Sequence, residues 1–184
     1  MAKNGFFPGD FSLAENISPY LKLEEGTHKI VFMPASEIED GNALDGFVWW
    51  TEDDDGRHPN RVKEKKEVAK DATEVKQFLT FKVWNQGIFE DSGDIAFQML
   101  DITQKTILKA LTGLVADSDW GDPVETYPVS IERKGQGLET TYTVTPKPKK
   151  QIPKEVKEAF GDWTCDMKKL YSGDDPFETE TLPF

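Results

Sequence analysis

The chain has 184 residues, 37% hydrophobic and 30% charged, enough for one domain with a core plus appendages. No apolar run is long enough to cross a bilayer, and the opening Met1-Ala2-Lys3-Asn4-Gly5-Phe6-Phe7-Pro8-Gly9 lacks the apolar core of a secretory leader, so a cytoplasmic protein is expected. The net charge of -12 opposes phosphate binding, one cysteine (Cys165) excludes an intrachain disulfide or a Cys-rich zinc site, and two distant histidines (His28, His58) give no basis for a metal or cofactor.

Residues 1–25 show no sustained period and read as an irregular arm. His28 to Met33 is β-branched and aromatic and stops at Pro34, which predicts a strand. Gly46 to Thr51 predicts a second. The polar stretch from Glu52 to about Thr73 predicts a long loop. Lys76 to Trp84 predicts a third strand. Its alternation sends Leu79, Phe81 and Val83 to one face, a core, and Phe78, Thr80, Lys82 and Trp84 to the other. That second face interleaves aromatics with a cation and is expected to lie outward. Ile95 to Ile102 predicts a fourth strand.

Thr103 to Val115 is the clearest helix, with Ile107, Leu108, Leu111, Leu114 and Val115 in one stripe, Thr103 at the N-cap, and Ile102 and Ile107 as a hydrophobic staple. Thr126 to Arg133 and Glu139 to Thr145 alternate as strands. Lys134-Gly135-Gln136-Gly137 between them is a hairpin signal. Pro153 to Phe160 predicts a short helix. The expected organisation is an arm (1–25), a mainly β domain (26–150), a short helical extension (151–171) and a flexible acidic tail (172–184). Five or six strands with one helix before the final β-hairpin match the plan of a partly open OB-type barrel. An SH3-like barrel or an α+β sandwich would give a similar order.

Charge is unevenly placed. From Arg57 to Lys82 eight bases face four acids, whereas Ser172 to Phe184 holds four acids and no base. Single-strand binders combine cationic grooves with aromatic faces, since every base has a π-face and every nucleotide a charge. Trp49, Trp50, Phe78 and Trp84 are candidate stacking platforms, of which Phe78 and Trp84 are preferred. Trp49 and Trp50 are adjacent, so one of them should leave the core. Arg57, Arg61, Lys63, Lys65, Lys66 and Lys82 are candidate phosphate partners. The competing reading of each aromatic is that it fills the barrel.

The tail carries Asp174, Asp175, Phe177, Glu178 and Glu180 and closes on Leu182, Pro183 and Phe184. An apolar tip beside carboxylates suits a hydrophobic pocket rimmed by bases, so these residues are candidates for binding a partner protein. The tail resembles the acidic tip of bacterial single-stranded DNA-binding proteins. Leu100 to Ile107, Asp119-Trp120-Gly121-Asp122-Pro123 and Thr140 to Pro146 are similar to bacteriophage single-stranded DNA-binding proteins of OB type. The resemblance covers about half the chain and implies sequence-independent single-stranded DNA binding in replication, recombination or repair, with the tail recruiting partner proteins and competing with DNA for the basic groove. It implies no enzyme activity. Some phage relatives carry a Cys/His zinc site, which one cysteine cannot supply.

Two other classes are weighed. An acidic adaptor or DNA mimic would explain the charge but not the Arg57–Lys82 cluster. A metal-dependent nuclease could use Asp122 with Glu132 and Lys134, but Asp122 sits in a turn and the triplet runs into hairpin glycines. No P-loop, nucleophile elbow or paired-His motif is present.

Overall fold

The computed structural model describes residues 17–178. Seven antiparallel strands form one sheet: β1 (Gly26–Met33), β2 (Ala43–Asp53), β3 (Gly56–Val62), β4 (Lys76–Asn85), β5 (Phe97–Ile102), β6 (Val129–Lys134) and β7 (Thr141–Pro146). Three helices accompany them: α1 (Gln86–Ser92), α2 (Lys105–Ala116) and α3 (Lys154–Asp162). The hydrogen-bonded order is β3-β2-β4-β1-β6-β7, with β5 on β4.

Strand β4 organises this sheet. Residues Leu79–Trp84 pair with β5 along one edge. Along the other, β2 pairs with Lys76–Phe81 and β1 with Lys82–Asn85, so β1 and β2 lie end to end. β1 in turn gives its first half to β6, from Gly26↔Arg133 to Ile30↔Val129. This stagger curls a sheet. No pairing among the described strands closes it, so the architecture is an open, barrel-like sheet.

The inner face holds Ile30, Phe32, Val83, Leu100, Ile102, Ile107, Leu111, Tyr127, Val129 and Ile131. Helix α2 closes it with Ile107 and Leu111, while Leu108 and Leu114 pack at the margin and Val115 is exposed. The stripe is therefore narrower than the sequence implies. The helix starts at Lys105, with Gln104 rather than Thr103 at the N-cap. Ile102 and Ile107 share the buried cluster.

The outer face of β4 is not outward. Phe78 is 0% and Trp84 1% exposed, so both are core residues, contrary to the alternation reading. Alternation separates two faces but does not say which is wet; a strand covered on both sides can carry the same pattern. The cover comes from the C-terminal extension. Ile152, just before α3, and Val156 within it pack with Trp84, Val31 and Met33. Cys165 and Met167 pack with Phe78, Val48 and Leu44.

Lys82 also turns inward. Its Nζ lies 2.8 Å from Glu37 Oε1, with the two side chains only 10% and 16% exposed. Glu37 Oε2 accepts from the Met167 backbone N–H at 3.0 Å. One carboxylate thus joins the loop after β1, the centre of β4 and the C-terminal 3-10 turn Met167–Tyr171.

The expected loop 52–73 contains structure. β2 runs on to Asp53, turns at Asp54-Asp55, and returns as β3, with Trp50 opposite Pro59 and Glu52 opposite Arg57. Gly46 lets the two strands meet: its φ is +153°, and a Cβ there would lie 2.0 Å from the Val62 carbonyl oxygen. At the β6–β7 hairpin, Gly135 has φ +82°, and a Cβ would stand 2.4 Å from the Glu139 carbonyl oxygen. The hairpin turns at the expected glycines and adds a 3-10 turn, Gly137–Glu139.

The arm is partly tethered. Tyr20 bridges Met99 in parallel, with Leu21 N–H donating to Met99 O at 2.9 Å and Met99 N–H to Pro19 O at 2.8 Å. No helix among the described residues is long and apolar enough to cross a membrane.

Glu37→Ala strands the Lys82 ammonium in the core and removes the acceptor for Met167. Breaking one partner of a buried pair costs about 3–5 kcal/mol. The variant is expected to show a correspondingly lower denaturant midpoint; a change within about 0.5 kcal/mol would contradict the buried-pair geometry.

Candidate functional site

The β2–β3 hairpin resolves the adjacent tryptophans. Trp49 is buried and Trp50 half-buried, so the second is the one that reaches the surface. Trp50 is held from below by the cluster around Phe78. The Arg57 guanidinium carbon sits 5.0 Å from its ring centroid, a cation–π contact across the strand pair. Trp50, Thr51, Glu52, Arg57, Thr73 and Glu74 line a cleft of about 260 Å³ beside this ring. Glu74 holds φ +53°, an uncommon value for a residue with a side chain. At the hairpin tip His58 Nε2 lies 2.9 Å from Asp53 Oδ1. That bond, with the Asp55 N–H, holds the Asp53 carboxyl below its ordinary range.

The remaining expected cations are mostly engaged. Arg61 pairs with Asp101 at 2.8 Å and stands 5.5 Å from the Phe78 ring centroid. Thr80 donates its hydroxyl to the same carboxylate at 2.9 Å. Lys63 hydrogen-bonds Asp45, which raises the Lys63 pKa. Lys66 pairs with Glu64 at 2.8 Å. Lys82 is sequestered by Glu37. Lys65 is exposed in the 3-10 turn Lys65–Glu67. The structure therefore brings Trp50 and Arg57 together on the surface. It places Trp49, Phe78, Lys82 and Trp84 in the core.

A larger cavity of about 650 Å³ lies between this face and the C-terminal segment, lined by Tyr20, His58, Arg61, Asp101, Asp174 and Phe177 among others. The first half of the expected flexible tail is packed. Pro176 is buried, and its carbonyl accepts from the Asp166 N–H at 2.8 Å. Phe177 meets Tyr20 edge-on at 5.3 Å and Trp163 at 6.0 Å. Asp175 Oδ1 accepts from the Phe177 N–H at 2.9 Å, Asp174 from the Ser172 hydroxyl at 2.8 Å, and Glu178 O from Lys169 Nζ at 2.9 Å. Glu180, Leu182, Pro183 and Phe184 lie outside the described residues.

Sequence reasoning missed Glu37, Asp45 and Asp101, the acids that occupy the cations. Each is separated from its partner by 18 to 45 positions, and only strand register brings them together. The cover over Phe78 and Trp84 has a visible signal: Phe160, Trp163 and Tyr171 in the helical extension and Phe177 in the tail are too aromatic for a segment solvated on all sides.

The nuclease candidates have local partners. Asp122 Oδ1 accepts from the Val124 N–H at 2.9 Å, and Glu132 pairs with Lys134 at 3.3 Å while accepting from the Thr27 hydroxyl at 3.3 Å. Among the described residues no three His, Cys, Asp or Glu side chains are grouped to hold one metal ion. Comparison with known proteins finds no family model that matches the chain and no curated protein of significant sequence similarity.

Burial pushes the Cys165 thiol up to about 12 from 9.0. The folded state holds the proton more tightly, so its contribution to stability is full below pH 9.0 and is lost as pH climbs towards about 12. Native protein is expected to resist a maleimide dye near neutral pH and to label after denaturation. Cys165→Ala should lose less stability than wild type across that alkaline window. Rapid labelling of native protein would contradict the buried thiol.

Proposed function

We propose that the protein binds single-stranded DNA without sequence preference, as an OB-type module serving DNA replication, recombination or repair. The observation that carries this reading is the half-buried Trp50 indole with Arg57 against it, opening on a cleft at the β2–β3 hairpin. A tryptophan fixed from below and capped only by an arginine side chain can offer its face to any base once the guanidinium moves aside to a phosphate, or can extend the stack through the guanidinium plane itself. Neither group reads base edges, so the contact is indifferent to sequence.

The strand order supports the fold assignment. β1, β4 and β5 run as a meander, α2 follows, and the β6–β7 hairpin returns to β1 through β6. On this mapping β2 and β3 are a hairpin inserted between the first two barrel strands. The stacking role passes from Phe78 and Trp84 to Trp50. The acidic tip Glu180, Leu182, Pro183 and Phe184 is assigned to partner proteins. Removing residues 179–184 spares Pro176 and Phe177 and is the clean way to separate recruitment from DNA affinity.

An acidic adaptor is the second reading. It is favoured by the internal pairing of Arg61, Lys63, Lys66 and Lys82 in a chain of net charge -12.

A tryptophan-fluorescence titration with oligo-dT and with duplex of equal length separates the two. Oligo-dT is expected to bind more tightly than duplex, with a steep salt dependence. Trp50→Ala should lose about 1–3 kcal/mol, roughly 5- to 150-fold in affinity, measured under conditions where the variant is still folded, since its packing on the Phe78 cluster is lost too. A variant that binds as wild type would remove Trp50 from the interface. No response to either DNA would leave the adaptor reading.

A further inference from the structure

The charge balance of the chain reverses in one place that the hairpin site does not use. From Thr140 to Pro153 there is no acid, and there are three bases, Lys147, Lys149 and Lys150. Ion pairs among the described residues occupy Lys29, Arg61, Lys63, Lys66, Lys82, Lys134 and Lys154, but none of these three. An acid-free stretch in a chain of net charge -12 is not the mixed-sign surface expected of a merely solvated segment.

The backbone orders this stretch. β7 is the outermost strand on its side of the sheet. Tyr142 and Val144 turn towards the core, while Thr141, Thr143 and Thr145 are exposed. The pairing of Val129 with Pro146 continues one step further, because Lys147 N–H donates to Pro128 O at 2.8 Å. Lys147 therefore follows the threonines on the outward row. Pro146 and Pro148 fix φ and favour an extended chain, which carries Lys149 and Lys150 onward from the same edge.

We infer that Thr141, Thr143 and Thr145, with Lys147, Lys149 and Lys150, form a second contact that takes the phosphodiester backbone of a single strand. The inference rests on the single-strand reading above but uses none of the hairpin residues. Hydroxyls donate to phosphate oxygens, and ammonium groups displace condensed counterions. The outward row has no aromatic and no carboxylate, so it neither stacks on bases nor repels the chain. Hairpin and track divide the work: the first takes bases, the second takes charge.

The test is the salt dependence of binding to fluorescein-labelled oligo-dT, followed by anisotropy from about 50 to 200 mM salt. Each phosphate contact on a single strand contributes about 0.7 to the slope of log affinity against log salt. The triple variant Lys147→Gln/Lys149→Gln/Lys150→Gln is expected to lower the slope by about 2 and to keep the wild-type melting temperature. Lys157→Gln/Lys168→Gln, at exposed lysines outside the track, is expected to keep the wild-type slope. An unchanged slope in the triple variant, with wild type binding normally, overturns the track and leaves the hairpin site standing. A slope loss per charge equal in both variants overturns it too, because it would reflect net charge alone. Failure of wild type to bind oligo-dT overturns both readings.

Discussion

The burial of β4 on both faces is the constraint on which the rest of the molecule depends. α2 covers one side, and the C-terminal extension covers the other. A lysine in the middle of such a strand is tolerable only if its charge is met. The Lys82–Glu37 pair does that while using its second oxygen to hold Met167. Desolvation makes such a pair a poor source of net stability and a strong source of register. It fixes where the extension sits, and so determines which aromatics are hidden and which one, Trp50, remains partly open.

Much of the fold was legible because local chemistry and pattern agree. The strands around Ile30, Phe81 and Ile131 announce themselves through β-branched and aromatic content, α2 through its stripe, and the last hairpin through Gly135 and Gly137. β3 was illegible. Its sequence, Gly-Arg-His-Pro-Asn-Arg-Val, has no alternation and a single β-former, Val62, and it is a strand because β2 offers it an edge. α1 was missed for a similar reason. Its seven residues lie between two strands, and its start is set by the Asn85 side chain, which accepts from the Ile88 N–H at 3.1 Å.

The candidate site was half legible. That one of Trp49 and Trp50 must leave the core follows from strand geometry, and burial names Trp50. Most of the cations near it are candidates by count but are paired with acids in the fold. A sequence shows a lysine and not the acid that strand register sets beside it; Arg61 and Asp101 are 40 residues apart. Local counting works for Lys147, Lys149 and Lys150 for the opposite reason, since no acid lies close by in sequence and none reaches them in space among the described residues.

The position of the extension also bears on how the chain matures. Protein synthesis delivers residues in order, so every strand of the sheet emerges before Cys165, Met167 and Phe177 do. Until then Phe78, Trp84, Val48 and Met33 form a bare apolar surface on a nearly finished sheet. Such a surface is what holdase chaperones recognise and what aggregation exploits. The nascent sheet thus stays exposed until the segment from Cys165 to Phe177 emerges and covers it.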